Sequence, residues 1–303
     1  MRRLAAVGIA ILMAGLLAAC GGRSPASPTP GTGGSGGQTP PPNTPPTIDS
    51  VTIHGTRANE PVNFADINET VNITAAVHDP ETAVDQLQFQ WTASSGAIAG
   101  SGASVTWTAP ASVPAQPVTI SLTVTENFGT GANAGQNKVS GTAAVSVHDS
   151  IKEVGDMSRQ FLLDFSDTNI TDASYIMRNF SKARCPQPGE VDAERDDVVK
   201  NYTNFIMQSF HIGPAAVTVA FGGTCPVPNH ASKRGDACAV VPSFWDSILR
   251  QDNIRRAVDG NDILAAAYST DDQRWWLCSS AYDAALVSGP PFPPGFAIGH
   301  VRF

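Results

Sequence analysis

Residues 118–124 read VTISLTV, a run in which apolar and polar side chains alternate at every position. A period of two places the apolar side chains on one face of an extended strand and the polar ones on the other. Glycine, proline, asparagine and aspartate separate this run from four similar ones: VNITAAV (71–77), LQFQWT (87–92), SVTW (104–107) and TAAVSV (142–147). Several such strands without a helical stretch predict a β-sandwich over residues 47–149.

The stretch AAVHDPETAVDQLQFQWTASSGAIAGSGASVTWTAP (75–110), followed by VTISLTVTENFG (118–129), resembles the PKD and related immunoglobulin-like modules of bacterial surface proteins. The D-P-E turn, the strand end W-T-x-x-x-G at Trp91 and the strand x-V-x-W-T-A-P at Trp107 carry the resemblance. It implies an all-β, immunoglobulin-like sandwich that serves as a spacer, an adhesive surface or a carbohydrate-binding unit. The inter-sheet disulfide of antibody domains is missing from it.

Three carboxylates fall in one predicted loop of this sandwich, at Asp79, Glu81 and Asp85. Hard oxygen ligands suit calcium, so the loop is a candidate calcium site. The glycine-punctuated ligand series of an EF-hand does not accompany these residues, so we favour the alternative of a solvated, turn-forming acidic loop. No metal and no cofactor is therefore predicted.

After residue 149 the pattern becomes that of an α+β domain. Apolar residues recur at intervals of three and four over residues 151–165 and predict an amphipathic helix. A second helix is predicted over residues 173–182, with Thr171 or Asp172 as its cap. The acidic stretch EVDAERDD (190–197) is interpreted as a solvated loop or a short third helix.

The rest of this domain reads as strands. Five are predicted: Tyr202–Ile212, Ala215–Thr224, Ala237–Leu249, Asp262–Tyr268 and Arg274–Ser280. Gly213-Pro214 is a hairpin-turn signal, and the last two strands are expected to pair across residues 269–273. Helices followed by an antiparallel sheet predict an α+β layer with the helices on one sheet face, and this order resembles that of cone-shaped NTF2-like domains. Residues 297–303 are either an added edge strand or a docked terminus.

The chain begins MRRLAAVGIAILMAGLLAACGG (1–22), a short basic head and an apolar run that is too short to span a membrane. The run ends in Leu17-Ala18-Ala19-Cys20, which resembles the lipobox of bacterial lipoproteins. This resemblance implies that residues 1–20 hold a signal peptide and that Cys20 carries acyl chains that insert into the lipid bilayer. Gly21 replaces the aspartate that retains lipoproteins in the inner membrane, so an outer-membrane location in the cell envelope is expected. The alternative is an ordinary signal peptide with an incidental cysteine.

Residues 21–46 read GGRSPASPTPGTGGSGGQTPPPNTPP, with almost no side chain that is able to enter a core. Such a segment cannot offset the entropy lost on ordering, so a tether is predicted. A proline motif recognised by a partner is the alternative interpretation.

The net charge of −8 is unevenly distributed along the chain. Residues 47–149 carry 2 basic and 9 acidic side chains, whereas residues 150–303 carry 14 and 18. Nucleic acids and anionic lipid surfaces require clustered lysine and arginine. Neither is therefore expected as the partner of the acidic middle segment, and no nucleic-acid function is predicted.

Four cysteines lie in the last domain: Cys185, Cys225, Cys238 and Cys278. An even number in an exported domain indicates two disulfides, for which three pairings exist. Cys225 and Cys238 flank a turn-rich loop, so a local bridge is sterically easy, and Cys185–Cys278 would then be the long-range bridge. Zinc is the competing explanation, but the chain has no CxxC motif.

No nucleophile elbow, HExxH helix, P-loop or dinucleotide fingerprint is present in the sequence. A pocket between sheet and helices is possible, and five strand residues are candidates to line it: His211, Trp245, Asp246, Arg274 and Trp275. The sequence favours a non-enzymatic module that binds a ligand, a glycan or an envelope protein. The alternatives are an extracytoplasmic hydrolase or NTF2-like catalyst that uses Asp246 and His211, and a structural spacer without a ligand.

Overall fold

The computed structural model describes residues 42–228, 231–294, 297–298 and 301–302. The predicted signal peptide, Cys20 and the tether up to residue 41 lie outside the described residues. The chain from Asn43 onward forms one compact unit that is mostly β-sheet, with several sheets and few helices. Within the described part, none of the helices has the length and apolar character that a membrane crossing requires.

Two four-stranded sheets form the first part of this unit. Their strands are β1 (Thr47–His54), β2 (Phe64–Asp66), β3 (Thr70–His78), β4 (Gln88–Ala93), β5 (Ala97–Ala99), β6 (Ser104–Thr108), β7 (Val118–Phe128) and β8 (Gly135–His148). The strand orders are β1-β3-β6-β5 and β2-β8-β7-β4, and all pairs are antiparallel except β2 with β8. Each of the five alternating runs falls on one of these strands, as predicted.

Alternation explains how these two sheets pack. The inward-facing side chains of β7, among them Val118, Ile120 and Leu122, are buried, while the threonines and serine between them are exposed or half-buried. Ile73 on the four-stranded sheet that contains β3 and Ile120 on the one that contains β7 belong to one continuous core. Trp107 is fully buried in that core, and its indole N–H donates to the carbonyl oxygen of Ser95 over 2.9 Å.

In the chain, three helices follow the two four-stranded sheets, which we call the first sheets, and precede a five-stranded sheet, which we call the second sheet. The first, α1 (Ser150–Ser166), confirms the predicted amphipathic helix, and the Asp149 side chain accepts a hydrogen bond from the backbone N–H of Lys152 at its start. The second, α2 (Ala173–Ile176), is capped by Asp172 and is shorter than the helix predicted over 173–182.

The third helix, α3 (Pro188–Asn204), confirms the helical alternative for the acidic stretch and corrects the strand that was predicted from Tyr202. It extends through the acidic stretch, and it occupies the start of the strand that was predicted from Tyr202. Its buried residues Val191, Glu194, Val198 and Asn201 recur at intervals of three and four, Asp197 beside Val198 is buried as well, and the other charged side chains of the helix are exposed or half-buried. This spacing is difficult to recognise in the sequence, because most of the other residues in the stretch are charged.

The second sheet has five antiparallel strands: β9 (Phe205–Ile212), β10 (Ala216–Cys225), β11 (Lys233–Leu249), β12 (Ile254–Ser269) and β13 (Arg274–Ser288). The β12–β13 hairpin, in which Ser269 pairs with Arg274, confirms the predicted connection. The hairpin predicted at Gly213-Pro214 is wrong: β9 and β10 pair with successive halves of the long strand β11. The N–H of Gly213 donates to the carbonyl oxygen of Pro242 on β11, so this dipeptide continues one sheet edge.

The described residues of the tail do not add an edge strand to this sheet. Short strands β14 (Ala297–Ile298) and β15 (Val301–Arg302) pair with each other in a separate two-stranded sheet. Both predicted disulfides are present: Cys185–Cys278 has a Cα–Cα distance of 5.4 Å, and Cys225–Cys238 one of 5.2 Å. The first bridge joins the segment before α3 to β13, so it holds a helical layer against the sheet.

A cluster of paired charges, which we call the seam cluster, lies where the first sheets meet α1. The Arg57 guanidinium forms ion pairs with Glu60 (2.5 Å), Asp66 (2.6 Å) and Glu69 (2.8 Å). Asp66 also accepts hydrogen bonds from the backbone N–H and the hydroxyl of Ser150, the first residue of α1. The seam cluster thus fixes the start of α1 relative to the first sheets.

Candidate functional site

A cavity of about 60 Å³ lies between helices α1 and α3 and one face of the second sheet. Strands β9, β11, β12 and β13 supply the sheet wall. Aromatic rings make up much of the lining, and they belong to Phe161, Phe165, Phe205, Trp245, Tyr282 and Phe292. The charged side chains of the lining are Glu194, Asp197, Arg256 and Asp262. An apolar cavity with a few convergent polar groups is the form that small-molecule sites usually take.

Glu194 is brought to the cavity by the buried face of α3, and only 2% of its surface is exposed. Its carboxylate accepts hydrogen bonds from the backbone N–H of Ser280 (2.7 Å) and from the Ser280 hydroxyl (2.8 Å). Burial raises the pKa of Glu194 to about 7, because the Ser280 hydrogen bonds only partly offset the loss of hydration. The charge of Asp197 acts in the same direction as burial, and that of Lys233 opposes it.

Asp262 faces the cavity from β12 and is 5% exposed. The Ser243 hydroxyl donates a hydrogen bond to it over 2.5 Å and accepts one from the Trp245 indole N–H over 3.2 Å. Burial, and secondarily the charge of Glu194, raise the pKa of Asp262 to about 7. The two carboxyl groups therefore interact electrostatically, and both lose protons near neutral pH.

Tyr282 lies directly across from Asp262 in the β12–β13 register. Its hydroxyl donates to the carbonyl oxygen of Ser243 over 3.4 Å, and burial raises its pKa above the usual value. Its ring centroid is 5.9 Å from that of Trp245, which also contacts Phe165 at 5.4 Å and Phe210 at 4.5 Å. These ring contacts fix the orientation of Trp245 at the cavity wall.

The cations near the cavity already have partners. Arg256 donates to both carboxylate oxygens of Asp252 (3.0 and 2.6 Å) and to the carbonyl oxygens of Pro290 and Pro291. Lys233 pairs with Glu190 over 2.6 Å. Within the part of the chain that the structure describes, neither Glu194 nor Asp262 forms an ion pair.

Of the five residues predicted to line a pocket, Trp245 lines this cavity and the other four do not. Asp246 follows it on β11, so its side chain projects from the opposite face of the sheet, where it forms an ion pair with Arg255. Hydrogen bonding to Arg255 lowers the pKa of Asp246. His211 pairs with Phe244 in the register, and their rings stack with centroids 6.1 Å apart.

Arg274 and Trp275 stand at the start of β13, outside the cavity. The Arg274 guanidinium lies 4.0 Å from the centroid of the Trp276 ring. Trp275 is 1% exposed in the core, and its indole N–H donates to the Ser150 hydroxyl over 3.2 Å. Trp275 belongs to the core and Arg274 is exposed, and neither lines the cavity, which corrects their assignment to a pocket.

The three calcium candidates take part in a turn rather than in a common site. One carboxylate oxygen of Asp79 accepts hydrogen bonds from the backbone N–H groups of Glu81 (2.9 Å) and Thr82 (2.7 Å). Glu81 accepts a hydrogen bond from the Thr44 hydroxyl over 3.0 Å, and Asp85 lies exposed in a short 3-10 helix. No group of three potential metal ligands comes together anywhere in the described residues.

Sequence reasoning missed Glu194, Asp262 and Tyr282. Glu194 belongs to the stretch that was interpreted as solvated, although its helical spacing from Val191 and Val198 is a usable signal. Asp262 precedes the apolar run ILAAA, where an acidic residue is unusual.

Comparison of the chain with protein-family models, with curated proteins and with solved structures yields no match.

Proposed function

We propose that this chain is an exported protein of the cell envelope that binds a small ligand in the cavity between α1, α3 and the second sheet. Residues 21–46 would tether the folded part to an acylated Cys20 in the outer membrane. The lipobox resemblance supports this location, and two disulfides are consistent with an extracytoplasmic protein.

The finer fold assignments are part of the proposal. Two packed, mainly antiparallel sheets support an immunoglobulin-like, PKD-type module over residues 47–149. Helices that precede a single antiparallel sheet and cover a cavity support an NTF2-like domain over residues 150–303. The module would act as a spacer, and the second domain would carry the ligand.

One observation carries the functional proposal: two carboxyl groups without an ionic partner in the described residues line a cavity walled by aromatic rings. Burying an unpaired ionisable group costs folding free energy, so a core built for stability alone would not contain two of them. Strongly perturbed carboxyls in a cavity are typical of functional sites. A glycan or an envelope protein could still contact other surfaces of the chain.

An extracytoplasmic enzyme is the second candidate, and the same pair favours it. A carboxyl group whose pKa is about 7 can act as a general acid or base at neutral pH. In that case Glu194 and Asp262, and not Asp246 and His211, would be the groups to replace. Turnover of an envelope polymer by the wild-type protein but not by Asp262→Asn would favour the enzyme over the binding module.

The binding proposal is tested on the full chain, purified in detergent, by thermal-shift screening of a small-molecule library and calorimetry on the hits. Ser247 lines the cavity, so Ser247→Phe should fill it and weaken binding by about tenfold or more. Gln208→Phe, at an exposed position of β9, is the matched control and should bind normally. Ligands that bind Ser247→Phe and wild type equally would refute the cavity as their site.

The anchor is tested separately by mass spectrometry of protein taken from bacterial membranes. We expect a mature N-terminus at Cys20 that carries acyl chains, and we expect Cys20→Ser to leave the membrane fraction, because the acyl chains are the membrane anchor that we propose. An unmodified Met1, or membrane retention of Cys20→Ser, would contradict the anchor.

A further inference from the structure

The electrostatics of the cavity restrict the ligands that it can accept. When ionised, Glu194 and Asp262 bring two negative charges to its wall, and Asp197 brings a third that is paired with Lys200 over 3.1 Å. The positive charge of Arg256 is matched by Asp252. The described lining therefore offers a surplus of negative charge, which an anionic ligand would oppose and a cationic ligand would neutralise.

The aromatic side chains of the cavity wall also favour a cationic ligand. The faces of Trp and Tyr rings attract cations, most strongly where water is excluded. Trp245 is 8% exposed and shares the cavity with Tyr282, Phe165 and Phe292. The volume of about 60 Å³ has room for roughly four to six waters on the scale of 10–15 Å³ each, which suits a group of a few heavy atoms.

We infer that the cavity binds a small organic cation of the substituted-ammonium class, held between the carboxylates of Glu194 and Asp262 and the rings of Trp245 and Tyr282. This inference rests on the proposed function and names its ligand class. It requires no covalent step, because both carboxylates act as counter-ions.

Proton linkage provides a signature of this mode of binding. Both carboxyl groups have a pKa of about 7, so a bound cation would favour their ionised forms and release protons. The other charged groups around them are Asp197 with Lys200, Lys233 with Glu190, Arg256 with Asp252, and Asp259 near Tyr282. The affinity for a cation should therefore rise with pH between about 5.5 and 8.5.

Isothermal titration of the full chain with choline, tetramethylammonium and ethanolamine tests the inference, with 3,3-dimethylbutan-1-ol as the neutral carbon isostere of choline. At about pH 8.5 we expect at least one ammonium probe to bind, with about tenfold or greater preference over the isostere. Its affinity should fall about tenfold or more at about pH 5.5, and near pH 6.5 the measured enthalpy should vary with the buffer as protons are released. No binding by any ammonium probe, or equal binding of choline and its isostere, would overturn the inference.

Asp262→Asn and Glu194→Gln should each reduce ammonium affinity at about pH 8.5 by about tenfold and leave the isostere unaffected. Asp246→Asn is the matched control, because Asp246 is on the other sheet face and should leave binding unchanged. If one cavity variant fails to fold, the other gives the same measurement, and wild-type selectivity needs neither.

The two proposals fail in distinguishable ways. A library ligand that is neutral and sensitive to Ser247→Phe, together with no ammonium binding, would retain the binding site and overturn its cation class. Ammonium binding whose affinity is unchanged in both Asp262→Asn and Glu194→Gln would overturn the inference as well. A screen without any ligand sensitive to Ser247→Phe would count against the proposed function itself.

Discussion

The carboxylates of the seam cluster are half-buried and those of the cavity are buried, and their charges are compensated in different ways. In the seam cluster, one guanidinium reaches three carboxylates within 2.8 Å, and the Arg57 side chain also lies over the rings of Phe64 and Phe221. In the cavity, Glu194 and Asp262 accept hydrogen bonds from serine groups and have no ion pair among the described residues.

This difference separates structural from functional burial of charge. A buried ion pair recovers part of its desolvation cost from its partner, so the seam cluster is compatible with a role in joining two layers. Burial raises the pKa values of the cavity carboxyls to about 7. It also raises the pKa of Glu69 in the seam cluster, but there the backbone N–H of Asp66 and the charge of Arg57 oppose the rise. The cavity carboxylates can therefore pair with an incoming cation, whereas the seam carboxylates are already paired with Arg57.

The largest effect on stability that we predict comes from breaking the seam cluster. Arg57→Met removes the cation and leaves Glu60, Asp66 and Glu69 without it. Because the cluster is half-buried, the free energy of unfolding should fall by about 3–4 kcal/mol, toward the lower end of the range for a fully buried pair. Urea denaturation at neutral pH measures this change. Lys182→Met, which breaks an exposed pair with Asp192, is the control and should leave the midpoint nearly unchanged. A loss in Arg57→Met no larger than in the control would remove the structural half of the comparison.

The sequence predicted those parts of the fold in which each element has one buried face. The alternating run at 118–124 and the three-four spacing at 151–165 each report their own burial, so both elements lie where they were predicted. The pairing of Cys225 with Cys238 could be predicted because the loop between them is short. The disulfide Cys185–Cys278 then followed by elimination among four cysteines.

The candidate site was not predictable in the same way, because its members are set by tertiary structure. Glu194 and Asp262 are on a helix and a strand that are distant in the chain, and the packing of α3 on the sheet brings their charges close enough to interact. The error at Gly213-Pro214 has the same origin, since only pairing with the long strand β11 shows that β9 and β10 are consecutive along one edge. Asp246 was chosen on residue type, but strand alternation directs it away from Trp245.

A smaller effect should appear in the pH dependence of stability. Because the folded-state pKa of Glu194 is about 7, above its unfolded value near 4.5, the native state binds more protons between these values. Its contribution to stability is thus complete below about pH 4.5 and is lost as the pH rises through 7, by about 3 kcal/mol in total. Glu194→Gln should flatten the profile of unfolding free energy between about pH 5 and pH 9 by that amount.

Asp246→Asn tests a carboxylate whose pKa is shifted in the opposite direction from that of Glu194. Arg255 lowers the folded-state pKa of Asp246, so this carboxylate stabilises the fold above its unfolded pKa and loses its effect only as the pH falls through the folded value. Its replacement should therefore leave the decline between about pH 5 and pH 9 in place. Chemical denaturation at a series of pH values measures all three profiles. If Glu194→Gln and wild type ran parallel across neutral pH, Glu194 would be as well compensated as the seam carboxylates, and the contrast that points to a ligand would disappear.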